Sequence, residues 1–162
     1  MRTPLEIETQ FDKTELISAS KSFFLVGIGG AEMSALALML KNRGISVSGA
    51  DSIASETTDA LERAGVPVEI GHQSANISKG DQVILSDAIV MDDSPEVARA
   101  RQLGCLILRR SQLLGWLLRD HKVICVTGTH GKTTTTSMIG AGLLAAGAKP
   151  TIVVGASVPE FG

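Results

Sequence analysis

The chain has 162 residues, of which 44 % are hydrophobic and 20 % charged, with a net charge of −2 and a pI near 5.9. That length holds one medium domain, or one domain and part of another, and the composition excludes disorder. The charge balance offers no general attraction for nucleic acid or an anionic membrane, so an anionic ligand must be held by local backbone donors and a few cationic side chains.

Residues 1–20 are polar and weakly patterned and read as an arm or a short leading helix. From Ser22 onward short β-like runs alternate with helical patterns, as in a parallel sheet built from βαβ units. Phe23-Phe24-Leu25-Val26 is a continuous apolar run suited to a strand covered on both faces. Met33, Leu36, Ala37 and Leu40 then fall at i, i+3, i+4 and i+7, one apolar stripe of a helix that Gly44 closes. A strand over Ser46–Ala50 ends at Asp51, a helix from Ser55 to Ala64 stops at Gly65, and a strand over Val66–Ile70 meets Gly71-His72.

A fourth strand spans Gln82–Ser86. Ser94-Pro95-Glu96 starts the next helix with a cap, a proline in the first turn and an acid near the positive dipole end. That helix stops at Gly104, a strand follows over Cys105–Leu108, and a helix covers Ser111–Arg119. A boundary near Asp120-His121 precedes a strand over Val123–Thr127, a glycine-rich loop, a helix over Lys132–Ala146 and a last strand over Thr151–Val154. Trp116, just before the boundary, is expected to pack between domains.

Aromatics are only 3 % of the chain, so the core must be aliphatic. Cys105 and Cys125 sit in apolar runs without metal-ligand spacing and are expected to be buried free thiols. No apolar stretch approaches the ~18 residues of a membrane span, and the first twenty residues lack a signal peptide's pattern. A cytoplasmic protein is expected.

Gly128-Thr129-His130-Gly131-Lys132-Thr133-Thr134 lies between an apolar run and a helical pattern. Glycines let the backbone curl with its N–H groups inward, and the helix N-terminus adds a positive dipole. Lys132 is placed to meet the terminal phosphates of a nucleotide, and the Thr133 hydroxyl to ligate Mg²⁺. The spacing differs from the general phosphate-loop pattern, because Val126 stands where its first glycine belongs. A tight turn using Gly for geometry and Lys and Thr for solubility is the alternative, and the order of strand, glycine pair, Lys-Thr and helix argues against it.

Gly27-Ile28-Gly29-Gly30-Ala31-Glu32-Met33-Ser34 separates the first strand from the first helix. Gly27 and Gly29 fit the first two positions of a dinucleotide-type turn, but Glu32 occupies the third. Asp51, some ~20 residues on, stands where a ribose hydroxyl is read, or caps the loop that follows it. An NAD-binding domain accounts for this loop and for Asp51.

The motif Gly-Thr-x-Gly-Lys-Thr-Thr resembles the ATP loop of the Mur ligases, and His130 with Thr133–Thr136 is most similar to the alanine-adding branch of that family. Gly-Ile-Gly-Gly-Ala-x-Met-Ser resembles the same branch's first loop. Gly49-Ala50-Asp51, Gly71-His72, Ser86-Asp87-Ala88-Ile89, Pro95-Glu96-Val97 and Arg109-Arg110 follow in the family's order. The resemblance runs from about residue 22 to the end of the chain.

It implies an α/β chain with a Rossmann-like parallel-sheet, UDP-sugar-binding domain over 21–119, behind the arm of 1–20. The beginning of a P-loop ATP-binding α/β domain would follow over 120–162. Gly128, Thr129, His130, Gly131, Lys132, Thr133 and Thr134 would bind ATP, with Lys132 catalytic and Thr133 on Mg²⁺. Gly27, Ile28, Gly29, Gly30, Ala31, Met33, Ser34, Asp51, His72 and Ser86 would bind the UDP-sugar. The implied partners are UDP-N-acetylmuramate, ATP and L-alanine, with no nucleic acid and no membrane.

The family's remaining catalytic acids, adenine pocket and amino-acid-binding domain lie beyond the ATP loop, so the chain alone is expected to be inactive. Glu32 departs from the family's usual glycine: either it turns to solvent, or it repels a bound diphosphate. Arg109 and Arg110 meet phosphate or pair with acids on a neighbouring helix. The alternatives are a non-catalytic UDP-sugar-binding module, an NAD-binding Rossmann domain, and a related ligase that joins a peptide to the same sugar.

Overall fold

The computed structural model describes residues 22–86, 89 and 94–154. The arm expected over 1–20 and the Asp87-Ala88 pair lie outside the described residues. The chain divides into two compact units between Asp120 and His121.

The first unit opens with β1 (Ser22–Val26), whose apolar run is buried from Phe23 onward. The helix α1 (Ala31–Asn42) buries Met33, Leu36, Ala37 and Leu40, the stripe its periodicity predicts. Next come β2 (Ser46–Asp51) and α2 (Glu56–Arg63), the latter started by a Ser55–Thr58 capping box. A short β3 (Val68–Ile70), a single 3₁₀ turn (Ser74–Asn76) and β4 (Asp81–Leu85) follow. The helix α3 (Pro95–Leu103) is capped by Ser94, and Gly104 in the left-handed region ends it. The unit closes with β5 (Ile107–Arg109) and α4 (Arg110–Leu118).

All strands are parallel, in the order β3-β2-β1-β4-β5. Alternate residues of β1 feed two cores. Phe23 and Leu25 pack with α1, Leu61 of α2 and Leu113 and Leu117 of α4, while Phe24 and Val26 pack with Val97 and Ala100 of α3. A sheet covered on both faces requires this continuous apolar patterning. The strand order reverses between β1 and β4, and in such sheets ligands bind outside the strands' carboxyl ends at that reversal.

The bounds of one strand are corrected. β3 begins at Val68 rather than Val66, because Val66 N–H caps α2 on the Leu61 carbonyl and Pro67 has no N–H to give a ladder. Trp116 packs against the first unit's own core, with the Arg119 guanidinium 4.8 Å from its ring centre.

The second unit contains α5 (Lys132–Ala145). Its flanking segments 123–127 and 151–154, expected as strands, form no ladder among the described residues. A strand exists only through a neighbour, and without one the apolar run stays open: Val123 is 47 % and Ile124 62 % exposed. Cys125 is for the same reason exposed rather than buried, and Cys105 is half-buried.

Candidate functional site

The turn after β1 stands at the reversal point. Gly27 adopts φ +79°, and a side-chain carbon on it would lie 3.2 Å from Ser86 Cβ and from Ile89 Cδ1 beyond β4. Only a glycine lets the two strand ends approach this closely in that conformation. Ile28 and Met33 are core residues, so their side chains face the interior and a ligand can meet only their backbone.

Four of the loop's amides are already used. Gly27 and Ile28 donate to the Ala50 carbonyl at 2.8 and 3.1 Å, and Gly30 donates to the Gly27 carbonyl at 3.3 Å. Gly29 N–H donates to Asp51 Oδ2 at 2.8 Å. Asp51 thus ties the end of β2 to the first loop, and Gly29 has no room for a side chain because Asp51 Oδ2 would lie 2.9 Å from it. The donors left for an anion are the first-turn amides of α1, those of Ala31, Glu32 and Met33. A helix does not satisfy these itself, and Gly30 contributes no side-chain cap. Ser34 Oγ donates to the Ala31 carbonyl at 3.0 Å.

Glu32 does not fold over those amides. Its Oε2 accepts from Arg110 Nε at 2.9 Å, with the acid 49 % and the arginine 21 % exposed. The neighbouring Arg109 donates from Nη1 to the carbonyls of Ser86 and Ile89 at 3.3 and 3.0 Å. The two arginines therefore act differently: Arg110 offsets the carboxylate on α1, and Arg109 holds the segment after β4.

His72, just past β3, presents Nδ1 to Glu96 Oε1 at 3.0 Å. Glu96 is fully buried and also accepts from Gln73 N–H at 3.0 Å and from Ser94 Oγ at 2.8 Å. Sequence reasoning saw Glu96 as a helix-start acid and missed its role as the centre of a polar cluster. Its position behind Ser94-Pro95 carries no mark of burial, because two of its three partners, His72 and Gln73, come from a loop more than twenty residues away.

In the second unit Gly131 caps α5 at φ +78°, and every residue from Gly128 to Thr134 is exposed. Lys132 Nζ donates back to the carbonyls of Gly128 and Thr129 at 2.5 and 3.2 Å, which holds the ammonium over the curled loop. Thr135 N–H donates to the Gly131 carbonyl, so the amides of Lys132, Thr133 and Thr134 precede the first intrahelical bond. The loop thus has the open curl, exposed cation and hydroxyl that a triphosphate needs.

A cavity of about 670 Å³ lies elsewhere, lined by Lys41, Ser46, Ser48, Gly65, Glu69 and Asn76 among others. It sits at the strands' amino ends, where α1 and α2 present their negative dipole ends, a poor setting for an anion. Among the described residues no group of His, Cys, Asp and Glu is arranged to hold a metal, and no helix is long and apolar enough to cross a membrane.

Residues 23–122 match the model of the Mur ligase family, catalytic domain. The UDP-N-acetylmuramate–L-alanine ligase of Caldicellulosiruptor saccharolyticus is 50 % identical over 141 residues, which is 86 % of this chain and 31 % of that protein. The ligase of the same name from Chlorobium phaeobacteroides is 47 % identical over 131 residues, 81 % of this chain and 28 % of that one. The chain therefore spans about 30 % of the length of these curated relatives.

Among solved structures, the UDP-N-acetylmuramate–alanine ligase of Thermotoga maritima superposes with a TM-score of 0.81 at 35 % identity, covering 86 % of this chain and 33 % of that one. The UDP-N-acetylmuramate:L-alanyl-gamma-D-glutamyl-meso-diaminopimelate ligase of Neisseria meningitides gives 0.82 at 33 % identity, covering 89 % of this chain and 45 % of that one. The parallel sheet of the first unit and these likenesses agree with the family match over residues 23–122, and the chain belongs to the Mur ligase family.

Proposed function

We propose that this chain comprises the UDP-sugar-binding domain (21–119) and the opening of the ATP-binding domain (120–162) of a UDP-N-acetylmuramate:L-alanine ligase. That enzyme is cytoplasmic and serves peptidoglycan precursor synthesis, and so cell shape and division. The reading is carried by the turn at the strand reversal, with three uncommitted helix amides behind it and the Glu32 carboxylate drawn off by Arg110.

The diphosphate of UDP-N-acetylmuramate takes the amides of Ala31, Glu32 and Met33. Gly27, Ile28, Gly29 and Gly30 shape the turn, and Ser34, Asp51, His72 and Ser86 flank the nucleotide and sugar. ATP is the second substrate, held by Gly128–Thr134. The exposed loop fits it: Lys132 would offset charge on the transferring phosphoryl group, and the Thr133 hydroxyl would be a ligand to Mg²⁺. A carboxylate is a poor electrophile until phosphate becomes its leaving group. Phosphorylation of the sugar's lactyl carboxylate, with ADP leaving, prepares it for attack by the amine of L-alanine, with phosphate leaving.

Calorimetric titration with UDP-N-acetylmuramate, with NAD as the control ligand, tests the first domain. Saturable heat with the UDP-sugar and none with NAD is expected, and the reverse pattern refutes the reading. The 162 residues alone, which span about 30 % of the length of the curated ligases they match, are expected to form no amide from UDP-N-acetylmuramate, ATP and L-alanine. A measurable rate of L-alanine addition would overturn that expectation.

A second reading, a ligase that joins a peptide to the same sugar, is supported by the near-equal likeness to the Neisseria structure. Both readings share the UDP-sugar site. The sequence relatives at 50 % and 47 % identity, both named for L-alanine, favour alanine.

A further inference from the structure

Glu96 is the one acid buried to 0 % exposure among the described residues, and the chemistry proposed above does not use it. An acid is almost never fully buried unless it is paired and hydrogen-bonded. Here two groups donate to it, Ser94 Oγ at 2.8 Å to one oxygen and Gln73 N–H at 3.0 Å to the other, and His72 Nδ1 stands 3.0 Å from that second oxygen. It also lies in the first turn of α3, where the helix dipole favours negative charge.

We propose that Glu96 is a positioning residue for His72, fixing its ring with the proton on Nδ1 so that Nε2 accepts a hydrogen bond from the UDP-sugar. This rests on the UDP-sugar reading. An ionised carboxylate oxygen has no proton to give and Oε1 accepts from Gln73 N–H, so opposite a carboxylate Nδ1 is the donor of the pair. In the neutral ring Nε2 is then the acceptor, and it pairs with a ligand O–H or N–H such as a ribose hydroxyl or a uracil imide. His72 is 30 % exposed while Glu96 is sealed, so the pair turns one nitrogen inward and leaves the other within reach.

The location fits a ligand contact. Gly71 N–H donates to the Asp51 carbonyl at 2.8 Å, and Asp51 Oδ2 holds Gly29, so a continuous bonded path joins the first loop to His72 and α3. Glu96 sets the outer end of that path, as an acid behind a metal-bound or catalytic imidazole fixes its tautomer.

Nitrogen-15 spectra of the imidazole in the wild-type chain read the tautomer directly. Protonated Nδ1 with bare Nε2 is expected, and the opposite tautomer overturns the proposal whether or not any variant folds. Titration with UDP-N-acetylmuramate then compares H72A, E96Q and the double variant, each checked by thermal melting. Each single change is expected to weaken binding about tenfold, and the double no more than the larger single change. Additive losses would show Glu96 acting apart from His72 and would refute the positioning role. A wild-type chain that binds no UDP-sugar refutes the underlying reading as well. A wild-type chain that binds it, with H72A and E96Q unchanged in affinity, refutes this proposal alone.

Discussion

Glu32 takes the place of a glycine in the dinucleotide-type turn, and the structure shows where its charge goes. The Arg110 contact is half open to solvent, so the pair contributes at most ~1 kcal/mol to stability. Its larger effect is local: a carboxylate drawn sideways leaves the first-turn amides of α1 uncovered. Glu32→Gln is expected to shift the melting midpoint little and to leave UDP-sugar affinity unchanged or raise it by up to about tenfold. A clear loss of affinity in titration would show that the carboxylate itself serves the ligand. Ser94 joins two tasks, accepting from Val97 N–H and donating to Glu96. Ser94→Ala is expected to cost about 1–2 kcal/mol in urea unfolding, at the upper end for a cap because a buried acid also loses a donor.

Local pattern and tertiary context divide cleanly among the elements. The stripe Met33, Leu36, Ala37 and Leu40 is legible because helical periodicity and burial are the same fact seen twice. The Ser55 and Ser94 helix starts are legible because a cap is a contact over three residues. The Asp51–Gly29 and Glu96–His72 contacts are not, since each joins residues more than twenty positions apart. The runs at 123–127 and 151–154 have strand-like composition, but a ladder is a property of two segments.

Between β1 and β2 the constraint is steric. A side-chain carbon on Gly49 would stand 2.3 Å from the Leu25 carbonyl oxygen and 2.7 Å from Ile28 Cδ1. The obstacle is backbone, which cannot swing aside. Gly49→Ala is therefore expected to destabilise the first unit by about 1–3 kcal/mol or more, read as a fall in the thermal midpoint.

For the whole chain, the two units differ in what each buries. The first closes two cores around its sheet, whereas α5 buries only Gly140 and leaves Met138 71 % exposed. The cooperative melt should thus belong to residues 22–120, and a chain ending at Asp120 is expected to keep its midpoint within a few degrees and its UDP-sugar affinity within about twofold. Hydrogen exchange should show protected amides in β1, β2 and β4 and rapid exchange at 123–127. Slow exchange at 123–127 would mean that this segment has a partner after all.

Arg109 reaches from the end of β5 to two carbonyls beyond β4, and a single nitrogen, Nη1, donates to both. The rim of the crevice is in this way shaped before any guest arrives. An incoming nucleotide loses less freedom in docking against a wall that is already rigid, so part of its affinity is built in by a residue that need never touch it.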